Sequence, residues 1–283
     1  MVELKNLTKT YSDFSLNIDM ELSEGRVSGL VGRNGAGKST TIKAILGLIH
    51  PDSGIVTVFG KNPAELTGEE KENIGAAFSN SGFSSYLTIN DIIHIMRSMY
   101  KCFDEEWFTS SCIKFNLPFD KKLKEFSTGM NARLKVLVAC SHKAKLLILD
   151  EPTAGLDVVA RNEVLDFLRL YLAEDPSRSL LISSHISTDL EGLCDDIYMI
   201  HNGRILLHED TDVITSEYAL MKLTDESYNE IDKKYILSTK KESFGWSCLT
   251  NQKQYYADNY PGVVMEDGGI DELIIMMSKE DIQ

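Results

Sequence analysis

Long apolar runs are what this 283-residue sequence most clearly lacks. A membrane-spanning helix needs about 20 consecutive, predominantly apolar residues, and no segment of the chain approaches that length. Charges at Glu3 and Lys5 interrupt the amino terminus, which therefore lacks the apolar core of a secretory signal peptide. We expect a cytoplasmic protein that reaches a membrane only through a partner.

Positive charge is also scarce. The chain has 29 Lys and Arg against 43 Asp and Glu, a formal net charge of −14. Because a nucleic-acid-binding surface requires clustered basic side chains, no nucleic-acid partner is expected. The five cysteines are odd in number and contain no Cys-x-x-Cys pair, which favours reduced thiols over a disulfide framework or a metal site.

The most informative segment is 32–40, Gly-Arg-Asn-Gly-Ala-Gly-Lys-Ser-Thr, between a strand-like run at 27–31 and a helix-like run at 41–49. This order is typical of a nucleoside triphosphate cradle, because glycines let backbone N–H groups wrap around phosphates. Lys38 is predicted to neutralise the β- and γ-phosphates, and the Ser39 hydroxyl to bind Mg²⁺. The candidate nucleotide-binding residues are Asn34, Gly35, Ala36, Gly37, Lys38, Ser39 and Thr40.

A pair of acidic residues, Asp150 and Glu151, follows the apolar run at 146–149. A buried strand that ends in two carboxylates can place a Mg²⁺ ligand and a general base beside a phosphate cradle. Asp150 is predicted to hold Mg²⁺, directly or through water, and Glu151 to polarise the attacking water. A nucleoside triphosphate with Mg²⁺ is therefore the expected ligand.

The pattern of elements predicts an α/β protein with a P-loop NTPase core and a mixed or parallel sheet. We also expect an N-terminal antiparallel β subdomain, a helical insertion and a small α+β C-terminal extension. An Ile/Met stripe at 87–99 fits either core packing or a partner groove. The strand-like runs are 2–7, 14–20, 27–31, 55–58, 145–149 and 180–183, the helical insertion is 80–140, and a further helix is expected at 160–172.

The loop at 32–40 and the acidic pair that follows the run at 146–149 occur in the order found in the ATP-binding subunits of ABC transporters. The chain resembles these proteins from residue 1 to about 210. The segment 126–130, shortly before the Asp–Glu strand, matches the family's signature sequence, although Thr replaces its first glycine. The matching residues are Tyr11 for the aromatic residue that stacks on adenine, Ser127, Thr128 and Gly129 in the signature, Asp157 in the D-loop (152–157), and His185 for the switch histidine.

The resemblance implies a head-to-tail pair of ATPase subunits, as a homodimer or a heterodimer. ATP on the P-loop of one subunit would be capped by Ser127 and the Gly129 N–H of the other. Lys38, Glu151 and His185 would form the catalytic set, with His185 reporting on the γ-phosphate. The resemblance further implies one or two separate transmembrane permease subunits, which would hold the chain on the inner face of the cell membrane.

One position departs from the family pattern. After the strand-like run at 74–78, where the family usually has a glutamine that touches Mg²⁺, this chain has Ser79 and Asn80. Ser79 is shorter than glutamine, which leaves three alternatives open. Ser79 contacts Mg²⁺ through water, Asn80 substitutes for the glutamine, or the site hydrolyses ATP slowly.

We divide the chain into an ABC ATPase domain, 1–211, with a helical subdomain at about 80–140, and an accessory extension, 212–283. The extension resembles that of bacterial exporters of peptide antibiotics, lantibiotics and toxic peptides, through the spacing of segments 262–264 and 270–273. It either stabilises the fold or has a regulatory or dimer-contacting role.

The expected function is an ATPase that powers an ABC exporter of peptides, antimicrobials or drugs. A regulatory or low-turnover nucleotide-binding module is the first alternative, and Ser79 is the residue that suggests it. The second is a non-transport ABC ATPase acting on DNA or ribosomes, which the acidic charge disfavours. The sequence does not reveal the transported compound, because specificity resides in the membrane subunits.

Overall fold

The computed structural model describes residues 1–78 and 82–278, which form three β-sheets with helices packed around them. In chain order, the strands are β1 (Val2–Thr10), β2 (Ser15–Leu22), β3 (Val27–Val31), β4 (Ser53–Val58), β5 (Ile74–Phe78), β6 (Leu146–Asp150), β7 (Ser179–Ser184), β8 (Asp196–His201), β9 (Arg204–Asp210), β10 (Ala219–Leu223), β11 (Ile236–Glu242), β12 (Gly245–Thr250) and β13 (Val264–Asp267). The helices are α1 (Lys38–Ile45), α2 (Gly68–Lys71), α3 (Ile89–Met99), α4 (Glu105–Lys114), α5 (Thr128–Cys140), α6 (Val158–Ala173), α7 (Ser187–Glu191), α8 (Thr211–Glu217), α9 (Asp225–Glu230), α10 (Lys253–Asn259) and α11 (Ile270–Met277).

The largest sheet has six strands in the order β5-β6-β7-β3-β8-β9. The first five run parallel, and β9 pairs antiparallel with β8. Every residue of β3, β6 and β7 is buried, as expected for parallel strands that are covered on both faces. The predicted mixed sheet is confirmed. Its topology brings the carboxyl ends of β3, β6 and β7 to one edge, which positions the loops that follow them.

The N-terminal strands form a separate antiparallel sheet in the order β2-β1-β4. Strand β2 alternates strictly between exposed and buried residues, because one of its faces meets the core and the other meets solvent. Leu16 and Ile18 of β2 pack in one cluster with Leu30 of β3 and Ile42 of α1. The predicted N-terminal antiparallel subdomain is therefore confirmed, and its core is shared with the central sheet.

Helix α1 differs from its prediction at both ends. It begins at Lys38 and ends at Ile45, rather than covering 41–49. Gly47 adopts a φ of +67°, and the N–H of Leu48 donates to the carbonyl of Lys43. This is the hydrogen bond of a Schellman motif, which glycine accommodates because it has no Cβ. The prediction extended the helix to 49 because apolar residues continue at helical spacing after Ile45. The backbone, however, leaves the helical conformation at Gly47.

The helical insertion contains α3, α4 and α5. Thr88 and Asp91 form a capping box at the start of α3, each side chain accepting from the other's backbone N–H. Ile89, Ile92 and Met96 are buried in the cluster that these helices share. Of the two interpretations of this stripe, core packing is the one observed.

Residues 212–278 form a second antiparallel unit, and the predicted small α+β extension is confirmed. Its four strands have the order β11-β12-β10-β13. Along the chain they alternate with helices as β10-α9-β11-β12-α10-β13, which is the split βαβ arrangement. Met221, Cys248 and Tyr256 belong to a core cluster of this unit.

The extension is joined to the rest of the protein through α11. Leu273 of α11 lies in the same buried cluster as Leu190 of α7 and as Leu220 and Leu249 of the C-terminal sheet. The carboxylate of Glu191, at the end of α7, accepts from the N–H of Ile270 at 3.1 Å. Helix α11 therefore fills the space between the C-terminal sheet and the helix that follows β7.

Leu273→Ala should destabilise the protein by about 2–5 kcal/mol, because it removes a fully buried leucine from a shared core and leaves a cavity. Leu273 is 1% exposed, whereas Ile275 on the opposite face of α11 is 53% exposed. Ile275→Ala is the matched control and should change stability by less than about 0.5 kcal/mol. Urea unfolding of both variants measures the difference, and equal midpoints would contradict this role of α11.

His142, after α5, should make stability depend on pH. Its ring is buried against Tyr100, at 4.2 Å between ring centroids, and its Nε2 lies 3.2 Å from the Ile74 carbonyl. Burial lowers the pKa of His142 below the ordinary 6.5, because desolvation disfavours the imidazolium. On acidification through pH 6.5 the unfolded chain therefore binds the proton first, and the free energy of unfolding falls, by at most about 1.4 kcal/mol per pH unit.

The test for this histidine is the variant His142→Gln. Between pH 8 and 5, its free energy of unfolding should decline less steeply than that of the wild type, with the separation appearing below pH 6.5. Urea titrations at each pH provide the comparison. Parallel curves for the two proteins would show that His142 does not contribute to the acid sensitivity.

Candidate functional site

The glycine-rich loop lies at the carboxyl end of β3, a central strand of the six-stranded sheet, and leads into α1. Gly37 immediately precedes α1 with a φ of +121°, and Gly35 has a φ of +82°. A Cβ on Gly37 would lie 2.9 Å from Leu16 Cδ1 and 3.1 Å from Phe14 Cζ, so a side chain there would both displace these neighbours and strain the backbone. No side chain caps the first N–H groups of α1, which therefore remain available to an anion.

Lys38, the first residue of α1, is buried at 5% exposure. Its Nζ donates to the Gly32 carbonyl at 2.6 Å and lies 3.1 Å from Glu151 Oε1. The ammonium is thus held at the mouth of the loop by the loop's own backbone and by one carboxylate. Asn34, Ala36 and Thr40 lie in the same loop and first helical turn.

Asp150, the last residue of β6, joins the loop to the next strand of the sheet. Ser39 Oγ donates to Asp150 Oδ2 at 2.8 Å, and Ser183 Oγ of β7 donates to Asp150 Oδ1 at 2.7 Å. Asp150 is 4% exposed and Ser183 is fully buried. Both oxygens of this carboxylate are consequently oriented by hydroxyl donors, and the predicted pair of Ser39 and Asp150 does come together.

Glu151 adopts a φ of +52°, which is uncommon for a residue with a side chain. Its N–H donates to Ser183 Oγ at 3.0 Å, which anchors the backbone at this turn. One carboxylate oxygen faces Lys38, and the other lies 2.5 Å from His185 Nδ1. Of the three residues predicted as the catalytic set, Glu151 therefore contacts both Lys38 and His185.

Tyr11 is 44% exposed. It is connected to the glycine-rich loop by Phe14, which contacts both. Its N–H donates to the Phe14 carbonyl at 2.7 Å, and the two rings are 6.5 Å apart with planes inclined by 30°. The edge of the Phe14 ring in turn packs against Gly37, in the space that a side chain at that position would need. Tyr11 thus presents an exposed aromatic face beside the cradle, and Phe14 is a neighbour that the sequence did not single out.

The signature residues occupy the start of α5. Ser127 caps this helix, its Oγ accepting from Met130 N at 3.2 Å, and Ser127 and Thr128 are exposed. Gly129 lies against the start of α6, where a Cβ on it would be 3.6 Å from Ala160 Cβ. Within one chain, therefore, these residues neighbour the D-loop segment, and their hydroxyls do not join the Lys38–Glu151–His185 contacts.

Asp157 caps α6, with Oδ1 accepting from Ala160 N at 2.9 Å. The predicted helix at 160–172 is found at Val158–Ala173, because the cap starts it directly after Asp157. Ser79 and Asn80, the predicted departure from the family, lie outside the described residues. A cleft of about 960 Å³, whose lining includes Phe78 and Glu151, extends from the end of β5 to the carboxylate edge of the sheet.

Sequence reasoning missed Ser183, although it orients both acidic residues, because a serine at the end of an apolar strand carries no distinctive pattern. It also missed a buried contact between Thr153 and Asp189, whose Oγ1–Oδ2 distance is 2.7 Å. Asp189 is separated from Thr153 by β7 in the chain. Such contacts depend on how the strands are ordered in the sheet.

Comparisons of sequence and of structure both find ATP-binding proteins of ABC transporters. The sequence model for the ABC transporter family matches residues 16–154. The bacitracin transport ATP-binding protein BcrA of Enterococcus faecalis is 32% identical over 210 residues, covering 73% of this chain and 68% of that protein. The lantibiotic transport ATP-binding protein SrtF of Streptococcus pyogenes is 32% identical over 216 residues, covering 75% and 92%. A solved ATP-binding subunit of an ABC transporter superposes with a TM-score of 0.68 at 27% identity, covering 76% of this chain and 91% of that one.

Proposed function

The chain belongs to the ATP-binding subunits of ABC transporters, and on that premise we propose that it powers the export of peptides or antimicrobial compounds through a separate membrane subunit. It is an ATPase of this family. The observation that supports the active form of the enzyme is the contact of Glu151 with both Lys38 and His185 at the mouth of the P-loop. The names of the bacitracin and lantibiotic relatives support the choice of compound class.

The residues present suit ATP with Mg²⁺. Uncapped N–H groups at the start of α1 and the buried Lys38 ammonium provide donors and charge for phosphate oxygens. Ser39 Oγ and Asp150 Oδ2, 2.8 Å apart, are oxygen ligands of the type that Mg²⁺ prefers. The part of the chain that the structure describes holds no group of three or more His, Cys, Asp or Glu arranged as a metal site. A bound Mg²⁺ would therefore complete its shell with phosphate and water oxygens, and would offset the negative charge that develops on the phosphates.

The contacts of Lys38 suggest how binding prepares hydrolysis. Its ammonium contacts both the Gly32 carbonyl and the Glu151 carboxylate. Phosphate oxygens carry more negative charge than a carbonyl and draw Lys38 toward the nucleotide. Glu151 Oε1, which lies 3.1 Å from Lys38 Nζ, then becomes available to accept from the attacking water. His185 holds the other oxygen of Glu151 and keeps the carboxylate oriented.

We propose that catalysis requires a second ATPase subunit, placed head to tail. Ser127 and Thr128 are exposed at the start of the 13-residue helix α5, whose positive end can face the γ-phosphate of a partner's nucleotide. Tyr11 would stack on adenine, and Asp157 would lie at the contact between subunits. Closure on ATP and release after hydrolysis would provide the motion that drives transport.

The membrane partner is proposed from the family. No helix among residues 1–78 and 82–278 is both long and apolar enough to cross a bilayer. We propose that a separate permease holds this chain at the cytoplasmic face of the cell membrane. We also propose the division at residue 211, with 212–283 stabilising the ATPase unit through the contact of α11 with α7.

The proposed activity is tested by Mg²⁺-dependent phosphate release from ATP as a function of protein concentration. A rate per subunit that rises with concentration supports an ATPase that works as a dimer. A rate per subunit that stays constant would contradict the dimer. Absence of phosphate release at every concentration, with ATP bound, would favour the second candidate, a low-turnover regulatory module.

Ser79 is the residue on which the second candidate depends. If the missing glutamine limits hydrolysis, Ser79→Gln should raise the turnover number by about tenfold or more, because an oriented water is a large part of phosphoryl-transfer catalysis. Phosphate release at saturating ATP measures it, with Ser79→Ala as the control. An unchanged rate in Ser79→Gln would mean that another group already performs this role.

A further inference from the structure

One buried carboxylate near the site does not belong to the Lys38–Glu151–His185 contacts. Asp189 of α7 is 1% exposed. Its Oδ2 accepts from Thr153 Oγ1 at 2.7 Å, and its Oδ1 lies 3.2 Å from Arg161 Nε. A buried carboxylate that has a hydroxyl donor on one oxygen and a guanidinium beside the other is constrained by both partners, because loss of either one leaves charge uncompensated in a low-dielectric interior.

The two partners of Asp189 lie at the two ends of the D-loop segment. Thr153, itself 1% exposed, belongs to the turn that directly follows Glu151. Arg161 lies in the first turn of α6, where its N–H donates to the carbonyl of Asp157 at 3.0 Å. One side chain therefore fixes the beginning and the end of the segment that leads from the catalytic glutamate to Asp157.

Asp189 is also tied to the switch histidine through the chain. It lies four residues after His185, and α7 begins at Ser187 between them. His185 contacts the Glu151 side chain, while Asp189 contacts the turn that continues from Glu151. The segment after β7 thus makes two contacts with this region, one to the Glu151 carboxylate and one to the Thr153 side chain, two residues further along the chain.

We propose that Asp189 is a positioning residue for ATP hydrolysis, which acts through Thr153 and Arg161 to hold the D-loop segment and Glu151 in the geometry that turnover requires. The proposal rests on the ATPase function given above. Asp189 touches neither the P-loop nor Lys38 within the described contacts, so its loss affects the chemical step and leaves nucleotide binding in place. Displacing a catalytic group by as little as about 1 Å can lower a rate by about 10²-fold.

Thr153 provides the sharpest test, because its substitution by valine removes the hydroxyl with little change of shape. Thr153→Val should lower the turnover number at saturating ATP by about tenfold or more, with the Kd for ATP within about twofold of the wild type. Thr153→Ser restores the donor and should restore turnover. Asp189→Asn, which keeps the shape but removes the charge facing Arg161, should also lose turnover.

Three measurements separate positioning from mere structural damage. Thermal unfolding midpoints establish that the variants are folded, fluorescent-nucleotide binding gives the Kd, and phosphate release gives the turnover number. Glu191→Gln is the matched control, because this carboxylate lies on the same helix but faces Ile270 of α11, and it should keep wild-type turnover. Turnover within twofold of the wild type in folded Thr153→Val would overturn the proposal, as would a loss that appears equally in the Kd or that Thr153→Ser fails to restore.

The wild type and Glu151→Gln are measured in the same series. If the wild type releases no more phosphate than a protein-free blank, the ATPase function itself fails, and the positioning role with it. If the wild type is active and folded Thr153→Val is equally active, the positioning role alone is refuted. The two failures are therefore distinguishable.

Discussion

Glu151→Gln should lower the turnover number for ATP by about 10²- to 10⁴-fold, the range that a general base usually contributes. The amide cannot accept a proton from water, but it keeps the length of the side chain. Glu151 lies between Lys38 and His185, a position that no other carboxylate occupies in the described contacts. Phosphate release at saturating ATP and Mg²⁺ measures the loss.

Nucleotide binding should persist in this variant. Lys38 no longer shares its charge with a carboxylate, so its ammonium is more available to phosphate, and we expect an ATP-bound dimer to accumulate. Size-exclusion chromatography with and without ATP detects that species. Glu226→Gln, at an exposed position in the first turn of α9, is the control and should behave as the wild type. Turnover above one tenth of the wild-type value would show that Glu151 is not the base.

Lys38→Ala should weaken ATP binding by about 10- to 100-fold, which corresponds to the loss of about 1.5–3 kcal/mol from a hydrogen bond to a charged group. Turnover should fall further, because the same ammonium offsets the charge that develops on the γ-phosphate. The buried position of Lys38 at 5% exposure increases the effect, since fewer water molecules can replace it. Titration with a fluorescent ATP analogue gives the Kd.

The variant also changes the protein without nucleotide. Removal of the ammonium leaves Glu151 Oε1 without its nearby cation, 3.1 Å away in the wild type, and a lower thermal midpoint is expected. Lys43→Ala is the matched control, because Lys43 is an exposed lysine on the same helix. It should keep the wild-type Kd, turnover and midpoint. An unchanged Kd in Lys38→Ala would refute the assignment of the phosphate cradle.

Much of the site could be predicted because its parts are local in sequence. The loop at 32–40 requires glycines and a lysine at fixed spacing, and the acidic pair Asp150 and Glu151 ends an apolar run. Both patterns follow from the backbone geometry of a strand and the loop that succeeds it. The order of elements likewise predicts the mixed sheet, because apolar runs of strand length alternate with helical ones.

The boundaries of α1 were less predictable, since Gly47 ends the helix while apolar residues continue. The C-terminal unit was predicted only as a small α+β extension. Its strand order β11-β12-β10-β13 depends on pairings between distant segments, and short amphipathic runs do not specify such pairings.

By itself, the sequence determined that this chain binds and hydrolyses a nucleoside triphosphate, and that it belongs with ABC ATPases, because those properties reside in contiguous motifs. The tertiary structure alone decided which side chains hold the motifs in place. Ser183 orients Asp150 and Glu151 because β7 lies next to β6 in the sheet. Asp189 reaches Thr153 and Arg161 for the same reason. Contacts between chain-distant residues arise from sheet order and close packing, which have no signature in any single segment of the sequence.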